Sequence, residues 1–332
     1  MFRFGTVLKA AVAVLLLFWA ECLCALNING IEYVGVGDFA RMAGMKYKTI
    51  ARAKKMSVFN ANQSVSLEVN SRVASVNGVF VNLGHPVAVK KAMLYVSKRD
   101  IYKNLYPVLF PKMLKNARAP LHIVIDAGHG GKDEGAKNKV YLVREKNINL
   151  DIALRLGALL RAKGYKVSFT RTGDTFIDLE MRPILANKRN ADLFISVHSN
   201  SAANKSVSGV ETYALTPVWL PSSSSAKLKA SDATPYTGNN VDGWSQYLSY
   251  CIQRSLKAQT RADDRGARRA RFAVLRTTNM PACLVEVGFL SNNAECLKLA
   301  SAAYRQKVAA AIANGIANYA FAAKSAVPKK RK

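Results

Sequence analysis

From residue 121 to residue 321, short apolar runs alternate with longer amphipathic ones, and this alternation constrains the fold more than any other feature. LHIVIDA (121–127) reads as a buried strand. Over 145–163, Ile148, Ile152, Leu156, Leu159 and Leu160 recur on one helical face. Gly164 ends that helix, because glycine takes the left-handed conformation that closes a helix at little cost. YKVSFTR, DLFISVH, GVETYAL, FAVLR and ACLVEVG supply further strands. Residues 178–189, WSQYLSYCIQRSLKA and 304–321 supply further helices. Residues 216–243, rich in Ser, Pro, Thr and Gly, read as a long loop. Strands alternating with helices predict an α/β domain whose largely parallel sheet has helices on both faces.

Residues 26–110 read differently, as a small α+β domain of short strands with turn punctuation. Two segments echo one another, YVGVGDFARMAG and YVSKRDIYKNLY. Each reads as a strand followed by a helix capped by Asp38 or Asp100, since an aspartate side chain accepts from a helix's first free amides. A basic linker, 111–120, leads into the domain of 121–321, and a basic tail, 322–332, follows it.

The first 25 residues read as a secretory signal peptide. Arg3 and Lys9 flank an apolar core at 10–20 that is shorter than a membrane-spanning helix requires. The expectation is export to the periplasm or cell wall, with no transmembrane helix left after cleavage. The chain has 49 Lys and Arg against 21 Asp and Glu, a net charge of +28. Such an excess suits an anionic partner: an acidic wall polymer, a membrane surface or nucleic acid. Nucleic acid is excluded, because the leader exports the chain and basic motifs interleaved with aromatics are missing. Beyond the leader only Cys251, Cys283 and Cys296 remain, which is no disulfide framework. Cys283 lies in an apolar strand and reads as core.

Four polar residues stand where apolar ones are expected. His129 follows IVIDA in the turn GHGG, and His198 follows DLFISV. Glu286 interrupts ACLVEVGF, and Glu145 opens the long amphipathic stretch. Functional groups of such sheets gather at the carboxyl ends of strands. Two histidines and a glutamate suit zinc, which in catalytic sites takes three protein ligands and lowers the pKa of its water to about 7. His129, Glu145 and His198 are the candidate ligands of one Zn2+, and Glu286 is the candidate general base. A buried glutamate without such a role is costly. Each residue also has a bland reading: a turn cap, a core histidine, a helix-start acid, a buried ion pair. It is the combination that points to catalysis.

The run IVIDAGHGGKDEGA, EKNINLDIALRLGALL, RTGDTFIDLEMR, ANKRNADLFISVHSNSAAN, GVETYAL, DRGARRARFAVLR, NMPACLVEVGFLSN and YRQKVAAAIANGI resembles the zinc-dependent N-acetylmuramoyl-L-alanine amidases, in order, from about 121 to 318. The resemblance implies a phosphorylase/hydrolase-like α/β fold. It implies cleavage of the amide between the lactyl group of muramic acid and the stem peptide. It places the zinc ligands on His129, Glu145 and His198 and the catalytic glutamate on Glu286. His122 falls on no ligand position and is expected to be structural, at its strand's start. Asn200 and Arg265 are the candidate substrate-binding residues, with Arg265, in the DRG triplet, holding substrate or the site wall. Peptidoglycan is the implied partner, with an activator protein as a further candidate. Residues 26–110 resemble the amino-terminal domain of copper amine oxidases but carry no copper ligands, His85 being their one histidine. That unit reads as a spacer or wall-contacting module. The segment 216–243 is not typical of the family and is expected to cover or shape the groove.

Other classes fit less well. No G-x-S-x-G elbow supports a serine α/β-hydrolase, and no H-E-x-x-H motif supports a zinc protease. The rival reading is a non-enzymatic wall-binding protein on the same fold. Retention of all four site residues favours the enzyme.

Overall fold

The computed structural model describes residues 26–50, 54–225 and 227–327. The expected leader and the end of the basic tail lie outside the described residues. The chain divides into two compact units: Met1–Gly78 with His85–Tyr102, and Val79–Gly84 with Lys103–Lys332.

Nine short strands run through the first part of the chain: β1 (Leu26–Ile28), β2 (Ile31–Gly35), β3 (Lys46–Ile50), β4 (Lys55–Phe59), β5 (Ser64–Glu68), β6 (Val73–Val76), β7 (Val79–Asn82), β8 (Ala88–Lys90) and β9 (Met93–Ser97). All but β7 belong to the first unit. There β1, β2, β9 and β8 form an antiparallel sheet, and β3 to β6 form an antiparallel meander. Buried residues alternate with less buried ones along β4 (Met56, Val58) and β5 (Val65, Leu67), the period of a strand with one face in a core.

The expected aspartate caps are corrected. Gly35 precedes α1 (Val36–Met42), and Ser97 precedes α2 (Lys98–Asp100). The Ser97 hydroxyl accepts from the Asp100 amide, while the Asp100 carboxylate accepts from the His85 amide. In both helices the strand runs straight into the first turn, so the aspartate enters at the third helical position, beside the positive end of the helix.

The second unit is built on β10 (His122–Ala127), β13 (Lys166–Phe169), β14 (Leu193–Asn200), β15 (Val210–Leu215), β16 (Asp264–Ala270) and β17 (Ala282–Phe289), with a small hairpin of β11 (Lys137–Asn138) and β12 (Val143–Arg144). The strand order is β13-β10-β14-β17-β15-β16-β7. Helix α3 (Glu145–Ala162) buries Ile148, Ile152, Leu156 and Leu160, the face its periodicity predicts, and Gly164 follows it at φ 87°. On the same side of the sheet as α3 lie α5 (Asp242–Thr260) and α8 (Ala302–Ala326). On the other face α4 (Met181–Lys188) and α6 (Ala273–Arg276) close a core of Val124, Phe194, Ala186, Val274 and Leu284. The short helix α7 (Asn293–Ala300) follows β17.

The sheet is mixed rather than largely parallel. β17 and β15 are antiparallel, while the pairs β13–β10, β10–β14, β14–β17, β15–β16 and β16–β7 are parallel. The cause is a connection length. Only residues 201–209 join β14 to β15, too few for the crossover of a dozen or more residues that a parallel return needs. The chain therefore turns back, and β15 runs opposite to β14 and β17.

A second correction concerns FAVLR, expected as a strand. The strand is the arginine-rich DRGARRA before it, and Ala273–Arg276 forms a helical turn. β16 tolerates its charges because each meets a partner. Arg269 donates to Asn104 and to the carbonyls of Leu215 and Lys103, and Arg268 pairs with Glu211. The helix expected over 178–189 is likewise shorter, beginning at Met181.

Candidate active site

β10 and β14 are adjacent and parallel, so their carboxyl ends open side by side. His129 lies in the turn just beyond β10, at φ 62°. His198 stands near the end of β14 and Glu145 is the first residue of α3. The donor atoms of these three residues all lie within 4.8 Å of one another. Glu145 Oε1 is 3.1 Å from His129 Nε2 and 3.1 Å from His198 Nδ1. A tetrahedral ion with bonds of about 2.0–2.1 Å holds its donors about 3.3 Å apart, so the donor set and its spacing fit zinc.

Two glycines make room for the cluster. A Cβ on Gly128 would sit 2.3 Å from the His198 ring. One on Gly135, which has φ +64°, would meet Glu145 at 2.6 Å and His129 at 2.7 Å. The side chains of the cluster are also aimed from behind. The Asp133 carboxylate lies 2.8 Å from His129 Nδ1, leaving Nε2 to face the cluster. A carboxylate behind a histidine in this way fixes its tautomer and ring orientation. Glu145 Oε2 accepts from the Ala136 amide, and Oε1 accepts from the Ser199 amide and from Asn149.

Electrostatics follow the contacts. Burial raises the Glu145 pKa, but hydrogen bonds with His129 and His198 outweigh it and hold the carboxyl well below the usual range. Burial lowers the pKa of His129, but Glu145 and Asp133 raise it by more.

Glu286 is the register partner of His198 on one side and of Glu211 on the other. It is 9% exposed, and its Oε2 has no hydrogen-bond partner among the described residues. Burial first, then the charges of Glu145 and Glu211, push its carboxyl well above the usual range. A carboxyl so placed accepts and returns a proton more readily than an ordinary surface glutamate at neutral pH.

Asn200 and Arg265 both engage Glu211. Asn200 Nδ2 donates to Glu211 Oε1 at 2.8 Å, and Arg265 Nε donates to Oε2 at 2.9 Å. Arg268 and the Tyr213 hydroxyl complete the set. Sequence reasoning passed over Glu211, although a glutamate inside GVETYAL is the same signal that singled out Glu286. His122 begins β10 and its Nε2 lies 2.9 Å from Ser168 Oγ, a structural contact as expected. Cys251, Cys283 and Cys296 are buried and unpaired. Part of the expected long loop is ordered as 3-10 turns at Ala230–Ala233 and Thr237–Val241, and Arg271 ties it through Asp232 and the carbonyls of Pro217 and Leu220.

A sheet that gathers two histidines and a glutamate at its strand ends, with a buried glutamate beside them, fits the class of metal-site α/β hydrolases. Residues 123–318 match the family model described as N-acetylmuramoyl-L-alanine amidase. The amidase AmiC of Escherichia coli is 33% identical over 246 residues, 67% of this chain and 59% of that protein. The amidase LytC of Bacillus subtilis is 32% identical over 302 residues, 90% of this chain and 53% of that protein. The CwlD amidase of Clostridioides difficile, solved in complex with the GerS lipoprotein, is 31% identical with a TM-score of 0.50, covering 60% of this chain and 97% of that one. The chain belongs to the N-acetylmuramoyl-L-alanine amidase family. It spans somewhat more than half the length of AmiC and LytC. Among the described residues no helix is long and apolar enough to cross a membrane.

Proposed function

We propose that the chain is a peptidoglycan hydrolase that cleaves the amide between N-acetylmuramic acid and the L-alanine of the stem peptide. The observation that supports this most directly is the convergence of His129, Glu145 and His198 on one point, with Glu286 in register beside His198. His129, Glu145 and His198 would hold one Zn2+. When bound, the ion supplies Lewis-acid activation that makes water nucleophilic at neutral pH.

The chain's own groups do the rest. Glu286 takes a proton from the attacking water as its oxygen adds to the lactyl carbonyl carbon. It returns that proton to the alanine nitrogen as the carbon–nitrogen bond breaks. The new carboxylic acid gives up the water's second proton, so the products are a lactyl carboxylate and the protonated amine of L-alanine. Glu211 holds Arg265, Arg268 and Asn200 as a wall of the site, and the loop tied by Arg271 shapes the groove.

The setting is proposed with the activity. Residues 1–25 export the chain to the periplasm or cell wall. The first unit, resembling the amino-terminal domain of copper amine oxidases, is a spacer that touches the wall. Among the described residues the one His/Cys/acid cluster able to hold a metal lies at His129, Glu145 and His198, outside that unit. A protein partner that raises the chain's own activity belongs to the reading too, since the Clostridioides difficile relative is solved with a lipoprotein.

The test is digestion of purified peptidoglycan by the chain without residues 1–25, with and without a chelator, beside Glu286→Ala. Mass spectrometry should find stem peptides beginning with L-alanine, lost with the chelator and with the substitution. Intact peptidoglycan after incubation with the unaltered chain and zinc would overturn the proposal.

A further inference from the structure

The turn that presents His129 is held from behind by buried cations. His129 is a non-glycine residue in the left-handed region, at φ 62°. That conformation is strained for a residue with a Cβ and persists only where the surroundings fix it. Here the surroundings are two guanidinium groups. Arg182 is 1% exposed and Arg171 is 4% exposed. Arg182 Nη2 donates to the His129 carbonyl at 3.1 Å, and Nη1 donates to the Ala127 carbonyl at 3.0 Å. Arg171 Nε donates to Ala127 O at 2.8 Å, and its Nη2 donates to Gly128 O at 2.8 Å and Lys146 O at 2.9 Å. Every carbonyl from 127 to 129 thereby accepts from a guanidinium group. Arg171 also fixes the carbonyl of Lys146, the neighbour of Glu145.

The charge of Arg182 is answered by Asp126, which is fully buried, at 2.9 Å. Asp126 also accepts from Thr170 Oγ1 at 2.6 Å and from Ser196 Oγ at 2.7 Å. Ser196 lies two residues before His198 on β14. One carboxylate thus ties together the strands that end in the two histidines. A packed apolar residue would serve stability as well as a buried ion pair or better. What an apolar residue lacks is a rigid fork of donors at set angles.

We infer that Arg182, assisted by Arg171 and Asp126, is a positioning residue that presets His129 for its metal. This rests on the zinc reading proposed above. Arg182 touches neither the ion's donors nor the substrate; it acts through the backbone of the turn. A lysine at 182 keeps the charge against Asp126 but cannot reach Asp126, Ala127 O and His129 O together. A change at Thr170 removes a hydrogen bond from the same carboxylate without touching the turn.

The experiment titrates the metal-free full chain with Zn2+ against a chromophoric chelator and records urea unfolding of the same samples. Arg182→Lys should bind zinc about 10–100-fold more weakly, the usual cost of losing a partner behind a metal ligand. Thr170→Val should lose stability but keep its zinc affinity within about twofold of the unaltered chain. If Arg182→Lys does not fold, Arg171→Lys, which cuts the bonds to Gly128 O and Lys146 O, should show the same selective loss. Equal zinc affinity in the unaltered chain and the folded arginine variant overturns the inference and leaves the zinc reading standing. So does an equal loss of affinity in Thr170→Val. An unaltered chain that takes up no zinc overturns the zinc reading itself, and the inference with it.

Discussion

Glu211 and Glu286 are register partners across the antiparallel pair β15–β17, and among the described residues only Glu211 of the two is paired with cations. Arg265 and Arg268 both reach Glu211 Oε2, whereas Glu286 Oε2 has no hydrogen-bond partner among the described residues. Two carboxylates in register are thus given opposite environments. One is held by two guanidinium groups; the other lies beside the cluster of His129, Glu145 and His198.

Replacing Glu286 by Gln should abolish turnover yet stabilise the metal-free fold. The folded-state pKa of Glu286 is raised, so its contribution to stability is full below its unfolded value and is lost as pH rises through the folded one. The advantage of Gln should therefore grow from acid to neutral pH, to on the order of 1–3 kcal/mol for a buried unpaired group. Urea unfolding of both proteins in chelator at several pH values checks this. A variant less stable than the parent at neutral pH would contradict it.

Replacing Glu211 by Ala should do the reverse. It strands Arg268, whose side chain is 19% exposed, and Arg265, which is 32% exposed. Removing one partner of a buried pair costs roughly 3–5 kcal/mol, and partial exposure of both arginines puts the expected loss below that, at about 2 kcal/mol. Chemical unfolding measures the loss, and kcat should fall with it because Asn200 loses its acceptor.

Gly128→Ala should keep the fold and lose the metal. Its added methyl would sit 2.3 Å from the His198 ring, so the imidazole has to move. Zinc affinity should drop at least about tenfold, with an unchanged far-UV circular dichroism spectrum. Tight zinc binding by this variant would show that the cluster forms without the close approach.

The thiols should be inert in the folded chain. Burial pushes Cys251 and Cys283 up to about 12, and it raises Cys296 as well. Thiolate is the reactive form. A disulfide reagent should count no thiols in the native chain lacking residues 1–25, and three after unfolding in denaturant.

The sequence showed His129, Glu145, His198 and Glu286 because each breaks an apolar run or opens an amphipathic one. The structure brings the first three together and sets Glu286 beside them. Glu211 broke such a run equally well, but its meaning depends on arginines far along the chain, which no local pattern reveals. The same distance hid β16. Alternation of apolar and polar residues marks a strand only when its polar side chains face solvent, and Arg268 and Arg269 turn inward to Glu211 and to Asn104. Strand direction was hidden for another reason. It depends on how far residues 201–209 can reach, and apolar periodicity is silent on that.

The two histidines end neighbouring strands, and Glu145 lies 53 residues before His198. No local stretch of the chain contains the cluster. It comes into being only when β10 and β14 align, so the donors are gathered by the completion of the sheet and by nothing earlier. A chain whose sheet is incomplete has no such cluster of donors, so any ion held there would enter only where and when the chain finishes folding.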